Sequence, residues 1–117
     1  MFTIILSAQE QYKRIFDHAT ITDVDGKIQT IEATNIFYFN YRNENVIKAY
    51  LSSGEIIYFE ELSELTSGVT SANLPYKYIF VKEQNKDDML IIQIFDDEQY
   101  GIQLIDVEKK YIIVQLH

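Results

Sequence analysis

Beyond residue 19 the apolar residues of this chain recur at every second position, in short runs separated by turn-forming residues. A period of two puts alternate side chains on opposite faces of a strand, so the pattern restricts the chain to hairpin-linked antiparallel β structure. The runs are ATITDV and KIQTIEA around DVDG (23–26), NIFYFNYR (35–42) and VIKAYLS (46–52) around NEN, and EIIYFE (55–60) after SSG. YKYIFVK, MLIIQIF, IQLIDV and YIIVQL follow, with turns at QNKDD, DDEQYG and EKK, and FTIIL (2–6) reads as a further buried strand. Exposed strand edges invite aggregation, which predicts that so many short strands close into a small barrel or half-barrel.

Two stretches depart from this period. Ser7 and Glu10 have capping-box spacing, and Tyr12, Ile15, Phe16 and Ala19 follow three to four apart. That predicts an amphipathic helix over 8–18 with Lys13, Arg14 and Asp17 on its wet side and His18 near its C-terminal end. EELSEL (60–65) reads as a short helix, and TSGVTSANLP (66–75) as the one long loop and the most mobile segment. The expected fold class is α+β, mostly antiparallel β, with one clear helix and one short helix covering an open end of the barrel.

Composition narrows the function more than it names it. The 117 residues, 47% hydrophobic, suit one domain spanning 1–117 with a core large enough to fold without staples. The absence of cysteine removes disulfides, thiolate catalysis and Cys-based zinc sites together, and tilts the expectation towards the cytoplasm. MFTIILSAQEQYKR shows no basic leader, and no apolar run approaches membrane-span length, so no membrane partner is expected. A net charge of −8 argues against a sequence-independent nucleic-acid clamp.

No catalytic signature emerges. DVDG spaces two aspartates like the start of a calcium loop, but its twelfth position from Asp23 is Thr34, not a glutamate. The acids of DDEQYG and EELSEL stand where turns point them into water. His18 and His117 have no nucleophile elbow to serve, and there is no Gly-rich phosphate loop. The expectation is a non-enzyme without a metal or other cofactor.

The aromatic strands are the strongest handle. In IFYFNYR (36–42) one row is Ile36, Tyr38, Asn40 and Arg42; the other, Phe37, Phe39 and Tyr41, is the core row. In VIKAYLS the inward row is Ile47, Ala49 and Leu51, leaving Lys48 and Tyr50 outside. If the two strands pair, Tyr38, Arg42, Lys48 and Tyr50 share one face, with Lys77 and Lys82 as further cations. Aromatics interleaved with cations are what single-stranded RNA recognition uses, each base stacking on a ring for about 1–3 kcal/mol. The opposing reading is a protein-interaction module, with the acids at 55–64 and 87–98 docking on a basic protein partner.

NIFYFNYRNENVIKAYLSSGEIIYFEELSEL (35–65) resembles the opening half of a LytTR-type DNA-binding domain, although that family's later F-x-R-x-H-R-S stretch has no counterpart. Over the whole chain, the length, the SAQEQYKRIFDHA segment after a first strand, the IFYFNYR hairpin and the β-rich end resemble the PrgU-type small proteins of enterococcal pheromone-responsive conjugative plasmids. That resemblance implies a PUA-like pseudobarrel that binds RNA and restrains expression of plasmid surface-adhesin and transfer genes. It implies no catalysis.

Overall fold

The structure, a computed structural model, describes residues 12–23, 25–106 and 113–117. Nine strands account for most of them: β1 (Tyr12–Thr22), β2 (Ile28–Phe39), β3 (Val46–Tyr50), β4 (Ile56–Glu61), β5 (Thr66–Val69), β6 (Pro75–Glu83), β7 (Met89–Phe95), β8 (Ile102–Asp106) and β9 (Ile113–Leu116). Their order is β4-β3-β2-β1-β9-β8-β7-β6-β5, every neighbour antiparallel, and β4 also pairs with β6. That last pairing closes eight strands into an up-and-down barrel and leaves β5 outside the ring as an extension along β6. Closure removes most free edges.

The barrel is packed rather than hollow along its middle. Phe37, Ile47, Ala49, Val81, Ile92 and Ile102 are sealed from solvent, with Phe16, Phe39, Phe59, Ile79 and Leu116 around them. Phe37 meets Phe16 edge-on at 5.9 Å and stacks against Phe59 at 6.3 Å. Alternation along each strand supplies this inward row, as the two-residue period demands. The one polar residue buried in the row, Asn35, accepts from the Ser52 amide at 3.1 Å and donates to the Ala33 carbonyl. Gly101 turns into β8 at φ 64, and a Cβ there would collide with the Leu116 carbonyl oxygen.

Several expectations are corrected. Residues 12–18, expected to be helical, are the first part of β1, and His18 caps no helix. The FTIIL strand and the Ser7–Glu10 capping box lie outside the described residues. The misleading signal has a physical origin. The β1–β2 register shifts between Phe16 and His18, and the Asp17 and His18 amides both donate to the His117 carbonyl. Two consecutive residues, Asp17 and His18, therefore lie exposed, and Phe16 and Ala19 both reach the core three positions apart. A β-irregularity thus reproduces helical spacing.

EELSEL is not a helix either. Glu60 and Glu61 end β4, then Leu62 donates to the Phe80 carbonyl at 2.8 Å and Ser63 Oγ accepts from the Phe80 amide at 3.0 Å, so the segment follows β6. TSGVTSANLP is no long loop. It holds β5 and a tight turn in which Thr70 Oγ1 accepts from the amides of Ala72 and Leu74. Helix among the described residues is confined to two three-residue 3-10 turns, Tyr41–Asn43 and Glu98–Tyr100. No described helix is long and apolar enough to cross a membrane.

Candidate functional site

The outward face of β2, β3 and β4 gathers the residues singled out from the sequence. Tyr38 of β2 stands opposite Lys48 of β3, which stands opposite Tyr58 of β4, while Tyr50 stands between Ile36 and Ile56. Cross-strand neighbours on one face have Cβ atoms about 5 Å apart, so the three strands present a continuous patch. Tyr38 and Tyr50 meet edge-on with ring centroids 5.8 Å apart. Tyr38 is half-buried, and Tyr50 keeps 36% of its surface.

Arg42 arrives by a different route from the one its row predicts. β2 ends at Phe39, and Tyr41–Asn43 form a 3-10 turn. Asn40, Arg42 and Asn45 all adopt left-handed backbone, with φ of 52, 55 and 58. For arginine that conformation costs on the order of 1 kcal/mol, held here by the short β2–β3 connection. The reversal corrects the expected core position of Tyr41: its ring joins the outer patch, 6.4 Å from Tyr38 and 6.2 Å from Tyr58. Arg42 is exposed, with its guanidinium carbon 5.0 Å above the Tyr41 ring.

Lys48 is the centre of the patch, and it is 8% exposed. Its ammonium lies 4.7 Å from the ring centres of Tyr41 and Tyr50 and 5.5 Å from that of Tyr58, and it donates to the Tyr41 hydroxyl at 3.2 Å. Burial alone would favour the neutral amine. The hydroxyls of Tyr50 and then Tyr41, close to the ammonium, outweigh it and hold the Lys48 pKa well above the ordinary lysine value. The same bond from Lys48 pulls the Tyr41 phenol below its ordinary value. Lys48 is thus a caged cation that fixes the rings around it by cation–π attraction.

The other two lysines stand apart. Lys82 lies on the outward row of β6 and pairs with Glu60 of β4 at 3.3 Å, near the patch but neutralised. Lys77, on the opposite row of β6 about 16 Å further along the strand, pairs with Asp96 at 3.3 Å. Sequence reasoning missed Tyr41 and Tyr58. Pairing VIKAY with IIYFEE around SSG places Tyr58 opposite Lys48, so the hairpin register was the available signal; for Tyr41 no local signal marks the turn. Between Tyr41 and Tyr58 lies a notch of about 270 Å³, bordered by Arg42, Glu44, Val46 and Gln84.

Two of the acidic turns have structural work. Asp23 Oδ1 accepts from the amides of Asp25 and Lys27 in the β1–β2 turn. Asp97 accepts from the Gln99 amide, starting the second 3-10 turn. Among the described residues, no three His, Asp or Glu side chains are grouped as a metal site.

The class defined so far is a small closed antiparallel β-barrel with a tyrosine-lined outer face. No family model, no curated protein and no solved structure matches the chain.

Proposed function

We propose that this protein is a non-enzymatic RNA-binding regulator whose outer face on β2, β3 and β4 stacks the bases of single-stranded RNA. The carrying observation is the outward pair Tyr38 and Tyr50, with rings 5.8 Å apart on a sheet rather than in its core. Tyr41 and Tyr58 extend the platform, Lys48 holds the rings in place, and exposed Arg42 supplies charge for a phosphate. Rings carried on rigid strands meet bases without losing much side-chain freedom, which favours stacking. The resemblance to PrgU-type proteins points the same way, towards a cytoplasmic regulator that restrains plasmid surface-adhesin and conjugation genes after transcription.

The test is fluorescence anisotropy with short labelled single-stranded RNA at low and physiological salt. Tyr38→Ala/Tyr50→Ala removes two rings without changing charge, and about tenfold or greater loss of affinity is expected from a variant that keeps its circular dichroism. Equal binding by the variant and the wild-type protein ends the stacking reading.

A second reading is favoured by one observation. Lys77, Lys82 and Lys86 are each paired with an acid, at 3.3, 3.3 and 3.2 Å, on a chain of net charge −8. Such a surface suits docking on a basic protein partner, and absence of RNA binding even at low salt would favour it.

A further inference from the structure

One mouth of the barrel opens into a cleft of about 760 Å³, separate from the tyrosine face. Its floor is apolar: Phe39, Ile47, Ile79 and Ile94 keep 4%, 1%, 3% and 8% of their surface. Tyr12 forms a wall, its ring stacked on Phe39 at 4.9 Å with 18° between planes. Glu61 ends the inward row of β4, two residues after buried Phe59 and opposite Val81, so a carboxylate stands on the inner side of the rim. Glu64 lines the cleft as well, and no lysine, arginine or histidine does among the described residues. Burial raises the Glu61 carboxyl above its ordinary range. It also raises the Tyr12 phenol, where Arg14 opposes the shift and Glu61 adds to it, which puts ring and carboxylate within electrostatic reach.

These features select a ligand chemistry. A carboxylate partly removed from water, with no cation beside it among the described residues of the cleft, is best satisfied by one that arrives with the ligand. The ring of Tyr12 offers the same ammonium its π face. An apolar body would cover the isoleucines, whereas an anion would be repelled by two acids. The volume falls within the roughly 300–1,000 Å³ of small-molecule sites, and the mouth of an eight-stranded barrel is a recurrent place for one. We propose that this mouth binds a small hydrophobic amine, with its ammonium against Glu61 and Tyr12 and its apolar body on Phe39, Ile47, Ile79 and Ile94.

Isothermal titration of the full chain tests this with 1-naphthylmethylamine, its isosteric alcohol 1-naphthalenemethanol, and 1-naphthoate. The amine should bind about tenfold or more tighter than the alcohol, as expected for a charge-assisted hydrogen bond, and the acid weakest. Glu61→Gln should erase the amine's advantage and leave alcohol binding unchanged, while Tyr38→Ala/Tyr50→Ala leaves both unchanged. In the wild-type protein, isoleucine methyl shifts on adding the amine should centre on Ile47, Ile79 and Ile94. The proposal is overturned if amine and alcohol bind alike, if none binds at millimolar concentration, if the preference survives Glu61→Gln, or if the shifts fall elsewhere.

Discussion

The inner and outer faces of β2, β3 and β4 come from the same alternating sequence, yet they treat a charge withdrawn from water in opposite ways. On the outer face Lys48 is nearly sealed but surrounded by three phenol rings and their hydroxyls, which raise its pKa and keep it charged. On the inner face Glu61 closes a row of phenylalanine and isoleucine, and burial raises its pKa towards the neutral acid. Both shifts are upward, but one secures a charge and the other disfavours it. Phenol rings carry a negative face and a hydroxyl; phenylalanine and isoleucine offer no polar atom at all. A strand's two rows therefore set two electrostatic environments within one sheet.

The largest difference between the faces should appear in stability. Phe37→Ala empties a fully buried site on the inner row and should cost about 3–5 kcal/mol in urea unfolding. Tyr50→Ala, on the outer row and 36% exposed, should cost about 1–2 kcal/mol. Equal losses would mean that the outer rings are as much core as the inner ones.

Lys48→Met comes next, because it keeps the stem and removes the cation. Its folded pKa lies above the unfolded value of about 10.4, so its contribution is fully present at neutral pH and is lost only as pH rises through the folded value. The variant should melt several degrees lower at neutral pH. Alkaline difference absorbance gives a sharper reading. Of the nine tyrosines, Tyr41 should ionise early in the wild-type protein and return towards the ordinary range in Lys48→Met, while Tyr12, whose phenol is shifted upward, ionises late in both. An unchanged titration would mean that Lys48 does not hold Tyr41.

The smallest effect should belong to Glu61→Gln. An acid with a folded pKa above its unfolded one weakens the fold as pH rises from the unfolded to the folded value. The amide should therefore melt slightly higher than the wild-type protein at neutral pH, and the advantage should vanish below the ordinary glutamate value of about 4.3. A lower melting temperature at neutral pH would show that the Glu61 carboxylate has a stabilising partner and would remove the contrast between the faces.

Much of the β architecture was legible residue by residue. The rows of 36–39 and 46–50, the DVDG turn and the last four strands follow from a period of two bounded by turn residues, all local properties. Tyr38, Lys48 and Tyr50 on one face followed from the same alternation. The helix expected over 8–18 failed from Tyr12 onward because residues three apart can share a face across a β-irregularity as well as on a helix. Leu62 and Ser63, expected in a helix, are instead held against β6 by hydrogen bonds with Phe80, a residue seventeen or more positions away.

By itself, then, the sequence determined which side chains share a strand face, because alternation needs nothing beyond neighbouring residues. The tertiary structure alone decided that β4 meets β6 to close the ring, and that Lys77 and Lys82 face acids. It also decided that Tyr41 swings out to join Tyr58 around Lys48, and that Glu61 stands at the rim of a cleft. Each depends on strands brought together across the chain, where distance, burial and the local field act, and none of these has a period along the sequence.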